Sequence, residues 1–137
     1  MNAFIARPAE ERRLVLEQTA AELGLPARTV EKDLWVCWTL RELFALPELG
    51  TQLTFKGGTS LSKVWRIIDR FSEDIDLTFD REALHFGGAR SPEQAPSRKQ
   101  QRARLKGLTA ACQQRVHESI KPALEARIRE ILTADET

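Results

Sequence analysis

LTFKGGTSLSKVWRIIDRFSEDIDLTFD, residues Leu53 to Asp80, reads as a strand, a glycine turn, a helix and a second strand. Leu53 and Phe55 alternate with Thr54 and Lys56, the period of a half-buried strand, and the run ends in Gly57-Gly58. Thr59 and Ser60 offer a hydroxyl cap at a helix start. Leu61, Val64, Trp65 and Ile68 then recur at i, i+3, i+4 and i+7, one apolar stripe, with Lys63 and Arg66 turned away from it. Arg70 to Glu73 close that helix. From Asp74 strict alternation resumes, so Ile75, Leu77 and Phe79 share one strand face and Asp74, Asp76 and Thr78 the other.

Two carboxylates at i and i+2 of a strand stand ~6.5 Å apart and, at an effective dielectric of ~20, repel by roughly 2 to 3 kcal/mol. Aspartate is also a poor strand former. Two of them on one face of a good strand suit a cation, and Mg²⁺ takes carboxylate and phosphate oxygens together. The glycine turn supplies the other half. A helix N-terminus offers unpaired N–H groups and partial positive charge to a phosphate, and Gly57 and Gly58 admit a ligand close to the backbone. Ser60 adds a hydroxyl donor and Lys63, one turn on, a positive charge. Each feature alone has a plainer reading. A glycine pair at such a junction is commonly only a turn, and the spacing is not that of a Walker A loop. An Asp-x-Asp strand is commonly a solvated edge, or a partner for an arginine such as Arg70. Their order along the chain brings both features to one rim of a sheet.

Gly57-Gly58-Thr59-Ser60-Leu61-Ser62-Lys63, followed by Arg70-Phe71-Ser72-Glu73-Asp74-Ile75-Asp76-Leu77, resembles the signature of the AbiEii/AbiGii-type nucleotidyltransferase toxins, within the polymerase-beta-like nucleotidyltransferase superfamily. Glu31-Lys32-Asp33, ahead of an aromatic-rich helix, is similar to that family's N-terminal region, so the resemblance covers roughly residues 10 to 80. It implies that Gly57, Gly58, Thr59, Ser60 and Lys63 hold a nucleoside triphosphate and that Asp74 and Asp76 are catalytic and hold Mg²⁺. It further implies a nucleotide joined to an acceptor of the tRNA class, and a cognate antitoxin as partner. The superfamily uses a third carboxylate on a later strand, and no convincing acidic strand follows Phe79. Family members are usually longer, so the chain is expected to be the front part of such an enzyme. The competing expectation is a non-catalytic nucleotide- or DNA-binding module.

With 137 residues, 42% of them hydrophobic, the chain is long enough for one domain with its own core. A net charge of +1 argues for neither a nucleic-acid nor a membrane partner, so only local clusters carry that argument. Cys37 and Cys112 form no CxxC, and with His85 and His117 as the only histidines there is no zinc constellation. Both cysteines read as reduced core residues. No apolar run approaches the ~20 residues of a membrane span and the N-terminus has no signal-peptide core, so a cytoplasmic location is expected.

Pro8-Ala9-Glu10-Glu11 opens a helix that runs to about Leu23, with Leu16, Ala20 and Leu23 as its stripe and Gly24 as its stop. A second helix, from about Ala27 to Leu46, contains Leu34-Trp35-Val36-Cys37-Trp38, apolar all round and therefore expected to be buried. Core packing is the reading for both tryptophans, with base stacking the alternative. Ala20, Gly24 and Val30 also fall at helix-turn-helix spacings, which would turn Arg28, Thr29, Glu31 and Lys32 toward a DNA groove. Against it, a recognition helix should not continue into a tryptophan-rich segment that must be covered.

Residues 81–97, with Gly87-Gly88, Pro92 and Pro96, have the composition of a mobile loop or linker, a lid beside the site or a plain connection. Ser97 then caps a helix whose stripe is Leu105, Leu108, Cys112, Val116 and Ile120. Pro122 kinks or restarts it before Leu124, Ile128 and Ile131. Arg98, Lys99, Arg102, Arg104 and Lys106 fall within nine residues free of acids. This is the candidate contact to a nucleic-acid backbone, with a solvated helix face as the plainer alternative. The expected fold is α/β: a small nucleotidyltransferase-like mixed sheet flanked by helices. It divides into a helical part at 1–50, the core motif at 51–80, the loop at 81–97 and a basic helical part at 98–133, all within a single domain.

Overall fold

The computed structural model describes residues 1–57 and 74–133. The helix expected from about Leu61 to Ile68, and with it Gly58, Thr59, Ser60 and Lys63, lies outside the described residues. Three helices precede the strands: α1 (Asn2–Ile5), α2 (Ala9–Leu23) and α3 (Ala27–Ala45). The strands are β1 (Leu53–Lys56) and β2 (Asp76–Phe79), and after them come α4 (Arg98–Arg115), a π-helical turn (Val116–Ile120) and α5 (Lys121–Thr133). The small sheet between helix-rich parts is the α/β organisation read from the sequence.

Among the described residues β1 and β2 form a two-stranded antiparallel sheet in the register Leu53↔Phe79, Thr54↔Thr78, Phe55↔Leu77, Lys56↔Asp76. Partners opposite one another share a face. Leu53, Phe55, Leu77 and Phe79 therefore turn inward, and Thr54, Lys56, Asp76 and Thr78 are exposed. The strand expected from Asp74 begins only at Asp76, because β1 ends at Lys56 and offers no ladder partner further back. The alternation nonetheless continues outward, with Asp74 exposed and Ile75 half-buried.

The inner face of the sheet packs on α3 and on the junction before α5. Leu43, Leu46, Leu53 and Ile120 form a buried cluster, with Leu77, Phe79 and Leu124 against it. A second cluster joins the two ends of the chain through Ile5, Trp38 and Ile131. Beside it Glu42, 4% exposed, accepts from Arg127 Nε at 2.9 Å and Arg41 Nη2 at 3.0 Å. Asn2 Oδ1 accepts from Trp38 Nε1 at 3.2 Å and from Arg41. The short α1 helix has no signature in the sequence, and Ile5 and Asn2 are what tie it down.

Three expectations of burial are corrected. Leu23 of the α2 stripe is 61% exposed, since the last turn of α2 is covered only on the side of Ala20, which is buried as expected. The apolar run in α3 is covered on one side only: Val36 and Trp38 are buried, and Trp35 is 37% exposed. No residue of α4 is fully buried, and Leu105 and Val116 of its expected stripe are exposed, because α4 rests on the preceding loop and not on the sheet.

That loop is less free than its composition suggests. Residues 81–97 form two short 3₁₀ turns, Gly88–Arg90 and Pro92–Gln94, with Leu84 and Pro92 buried. Arg81 Nη1 pairs with Glu93 Oε1 at 2.6 Å, and Arg104 Nη1 donates to the carbonyls of Ala89 and Ser91, both at 2.8 Å. The loop is thus a fastened connection. Ser97 caps α4 as expected, its Oγ accepting from the Gln100 N–H at 3.3 Å. Pro122 acts one turn early. It has no N–H to give and its ring would strike the Glu118 carbonyl, so the turn before it widens and the Lys121 N–H bonds to Val116.

Candidate active site

The candidate site stands where β1 ends. Asp76 pairs with Lys56 across the strands, and Gly57 follows with φ +83°. A Cβ built on Gly57 would lie 2.1 Å from Asp76 Oδ2, so the carboxylate occupies the space that only a glycine leaves open. Asp74, two residues upstream, is exposed on the same side as Asp76. The structure thus brings Gly57 and Asp76 together and leaves Asp74 exposed. Two exposed carboxylates, one settled over a glycine, are the kind of oxygen donor that a hard divalent cation takes. Among the described residues no group of three or more His, Cys, Asp or Glu forms a metal-ligand set. In the sequence Lys56 is only one polar member of the β1 alternation. The register alone reveals that it stands opposite Asp76.

α3 borders the rim from the other side. Ile75, between the two aspartates, closes a small open pocket with Lys32, Trp35, Val36 and Thr39. Trp35 meets Trp38 edge to face, with ring centroids 6.1 Å apart and planes at 82°. On the other side Trp35 lines a cleft of about 560 Å³ between α2 and α3 that also includes Arg28 and Glu31. The residues that a helix-turn-helix reading would direct into a DNA groove thus face partly into an intramolecular cleft.

The basic segment lies on α4, apart from β1 and β2 in the fold. Arg98, Lys99, Arg102 and Lys106 are exposed, whereas Arg104 is half-buried and spent on the loop carbonyls. Arg98 and Lys99 occupy the first turn, where α4 has no acid. Cations at the positive end of a helix dipole are unfavourable by about 0.3 to 1 kcal/mol each unless an anion joins them.

Over residues 38–135 the chain matches the family model described as the nucleotidyl transferase AbiEii toxin of type IV toxin–antitoxin systems. The chain belongs to the AbiEii nucleotidyltransferase toxin family. No curated protein and no solved structure matches it. The AbiEii match includes Gly57, Asp74 and Asp76, the fastened loop and the basic helix. It extends well past the residues that carry the resemblance in the sequence, and it begins after Glu31-Lys32-Asp33, so that part of the resemblance lies outside it. Also before it lies the whole lining of the α2/α3 cleft. No helix among the described residues is long and apolar enough to cross a membrane.

Proposed function

We propose that this AbiEii chain carries the catalytic rim of a Mg²⁺-dependent nucleotidyltransferase, acting in the cytoplasm, that moves a nucleotide from a nucleoside triphosphate to an RNA acceptor of the tRNA class, and that a cognate antitoxin restrains it. The observation that supports this most is the Asp76 carboxylate over Gly57, with Asp74 exposed beside it, inside the family match. In this reading Asp74 and Asp76 hold Mg²⁺, which when bound supplies the charge neutralisation that lets a triphosphate approach two carboxylates. Gly57 keeps the approach to the backbone open. Gly58, Thr59, Ser60 and Lys63 hold the phosphates. The acceptor hydroxyl oxygen forms the new bond at the α-phosphorus and gives its proton to solvent, while the bond from that phosphorus to the oxygen bridging the β-phosphate breaks and pyrophosphate leaves. Arg98, Lys99 and Arg102 hold the acceptor's backbone, and their placement without acids at the start of α4 supports that role.

The reaction is tested with α-phosphate-labelled nucleoside triphosphates and a tRNA pool in the presence of Mg²⁺. Label should pass to RNA with the wild-type chain and not with Asp74→Ala or Asp76→Ala. Transfer that survives both substitutions would place the chemistry elsewhere.

A further inference from the structure

Trp35 is shared by two concavities. On one side it lines the cleft of about 560 Å³ between α2 and α3, together with Arg12, Arg13, Leu16, Arg28 and Leu34. On the other it lines the pocket that ends at Ile75, between Asp74 and Asp76. One indole thus joins a cleft before the family match to a pocket that reaches Ile75, inside it.

The chemistry of the lining is specific. Leu16 and Leu34 give the cleft an apolar wall, and Trp35, more than a third exposed, gives it an aromatic surface. The arginines differ in how much charge they keep. Arg13 is engaged by Glu10 at 2.9 Å and by Glu17 at 3.7 Å. Arg12 donates to the Ile5 carbonyl, a neutral partner, and has no ion pair among the described residues, although Glu17 lines the same cleft. Arg28 has no ion pair among the described residues, although Glu31 borders the same cleft. An aromatic surface beside such guanidinium groups is the arrangement that binds an unpaired base with its phosphate, and such stacking tolerates any base. A duplex hides its base faces and has none to offer the indole. Two concavities meeting at one indole suit successive nucleotides better than one free nucleotide.

We infer that the α2/α3 cleft holds a single-stranded nucleic-acid segment, a base against Trp35 and its phosphates on Arg12 and Arg28, with the next nucleotide past Trp35 in the pocket that ends at Ile75. This rests on the transferase reading and locates the acceptor strand within it.

The test is anisotropy of a labelled single-stranded RNA of about ten nucleotides, a length within the usual range of site sizes, alongside Mg²⁺–nucleoside triphosphate binding by the same variants. Trp35→Ala should weaken RNA binding on the order of tenfold or more, while Trp35→Phe keeps most of it. Arg28→Glu should weaken it and flatten its salt dependence. None of the three should change triphosphate affinity, and Asp76→Ala should abolish triphosphate binding while leaving RNA affinity intact. Unchanged RNA affinity in Arg28→Glu overturns the inference, even if Trp35→Ala fails to fold. So does loss of triphosphate affinity with RNA affinity kept, which would make the cleft a free-nucleotide site, and so does equal competition by duplex. Absence of Mg²⁺-dependent triphosphate binding in the wild type would instead strike the transferase reading, and is read separately.

Discussion

The Asp76 carboxylate rests over the Cα of Gly57, so close that a Cβ there would come within 2.1 Å of Oδ2. Gly57→Ala should therefore push the carboxylate aside as well as strain a backbone at φ +83°. Gly24 gives the control, since it has φ +66° and nothing within 4 Å of a built Cβ. Both alanine variants should lose about 1 to 2 kcal/mol from the left-handed backbone. Only Gly57→Ala should weaken Mg²⁺-dependent triphosphate binding. Urea titrations and calorimetry on the pair check this, and equal binding by both variants would show that the close fit over Gly57 plays no part in the site.

Glu42 joins α3 to α5 through Arg127. Burial pushes its carboxyl up, but hydrogen bonds and charge from Arg127 and Arg41 outweigh this and hold it below the ordinary 4.5. A group with a lowered folded pKa adds stability above its unfolded value and loses it as pH falls through the folded one. Stability should accordingly drop on acidification below about 4.5. Glu42→Gln should cost about 1 to 2 kcal/mol at neutral pH and reduce this acid dependence. Some should remain, because Glu93 is also held low, chiefly by its hydrogen bond from Arg81. Arg127→Ala should cost more than Glu42→Gln, because it leaves a buried carboxylate with the part-exposed Arg41 as its remaining partner. Urea unfolding across pH provides the measurement, and a flat acid limb in the wild type would deny the pair its role.

The basic residues of α4 separate into two kinds. Charge reversal at Arg98, Lys99 and Arg102 should leave thermal stability nearly unchanged, weaken RNA binding and lower its salt slope by about 0.7 or more for each phosphate no longer neutralised. Arg104→Ala should lower thermal stability, because the Ala89 carbonyl loses this donor and the Ser91 carbonyl keeps only the Gln94 N–H. Filter binding across a salt series and thermal melts distinguish the two. A salt slope unchanged by the triple reversal would make the segment a solvated face.

Local patterns were legible in the sequence. The strand at Leu53–Lys56, the Gly24 stop and the Ser97 cap each depend on near neighbours and stand where their patterns put them, and the strand expected over Asp74–Phe79 stands at Asp76–Phe79. What depended on distant partners was not legible. Trp35 looks like core in the sequence because its stretch of helix is apolar all round, yet it stands at a cleft between α2 and α3 and stays 37% exposed. The loop at 81–97 looks mobile because the composition does not reveal that Arg104, beyond its end, will reach back to fasten it. Of the candidate site, the Asp74/Asp76 face was readable from alternation alone. The Lys56–Asp76 register and the fit over Gly57 needed the pairing of two strands that the sequence separates. The roles read for Gly58, Thr59, Ser60 and Lys63 lie outside the described residues.

The central claim is that Asp74 and Asp76 serve a triphosphate through a divalent cation, and calorimetry with and without Mg²⁺ tests it most directly. Two exposed carboxylates repel a triphosphate unless a cation stands between them. The wild-type chain should bind a nucleoside triphosphate with Mg²⁺ and lose that binding with chelator, and Asp76→Ala should bind weakly in both. Equal affinity in both conditions for wild type and Asp76→Ala would contradict the account.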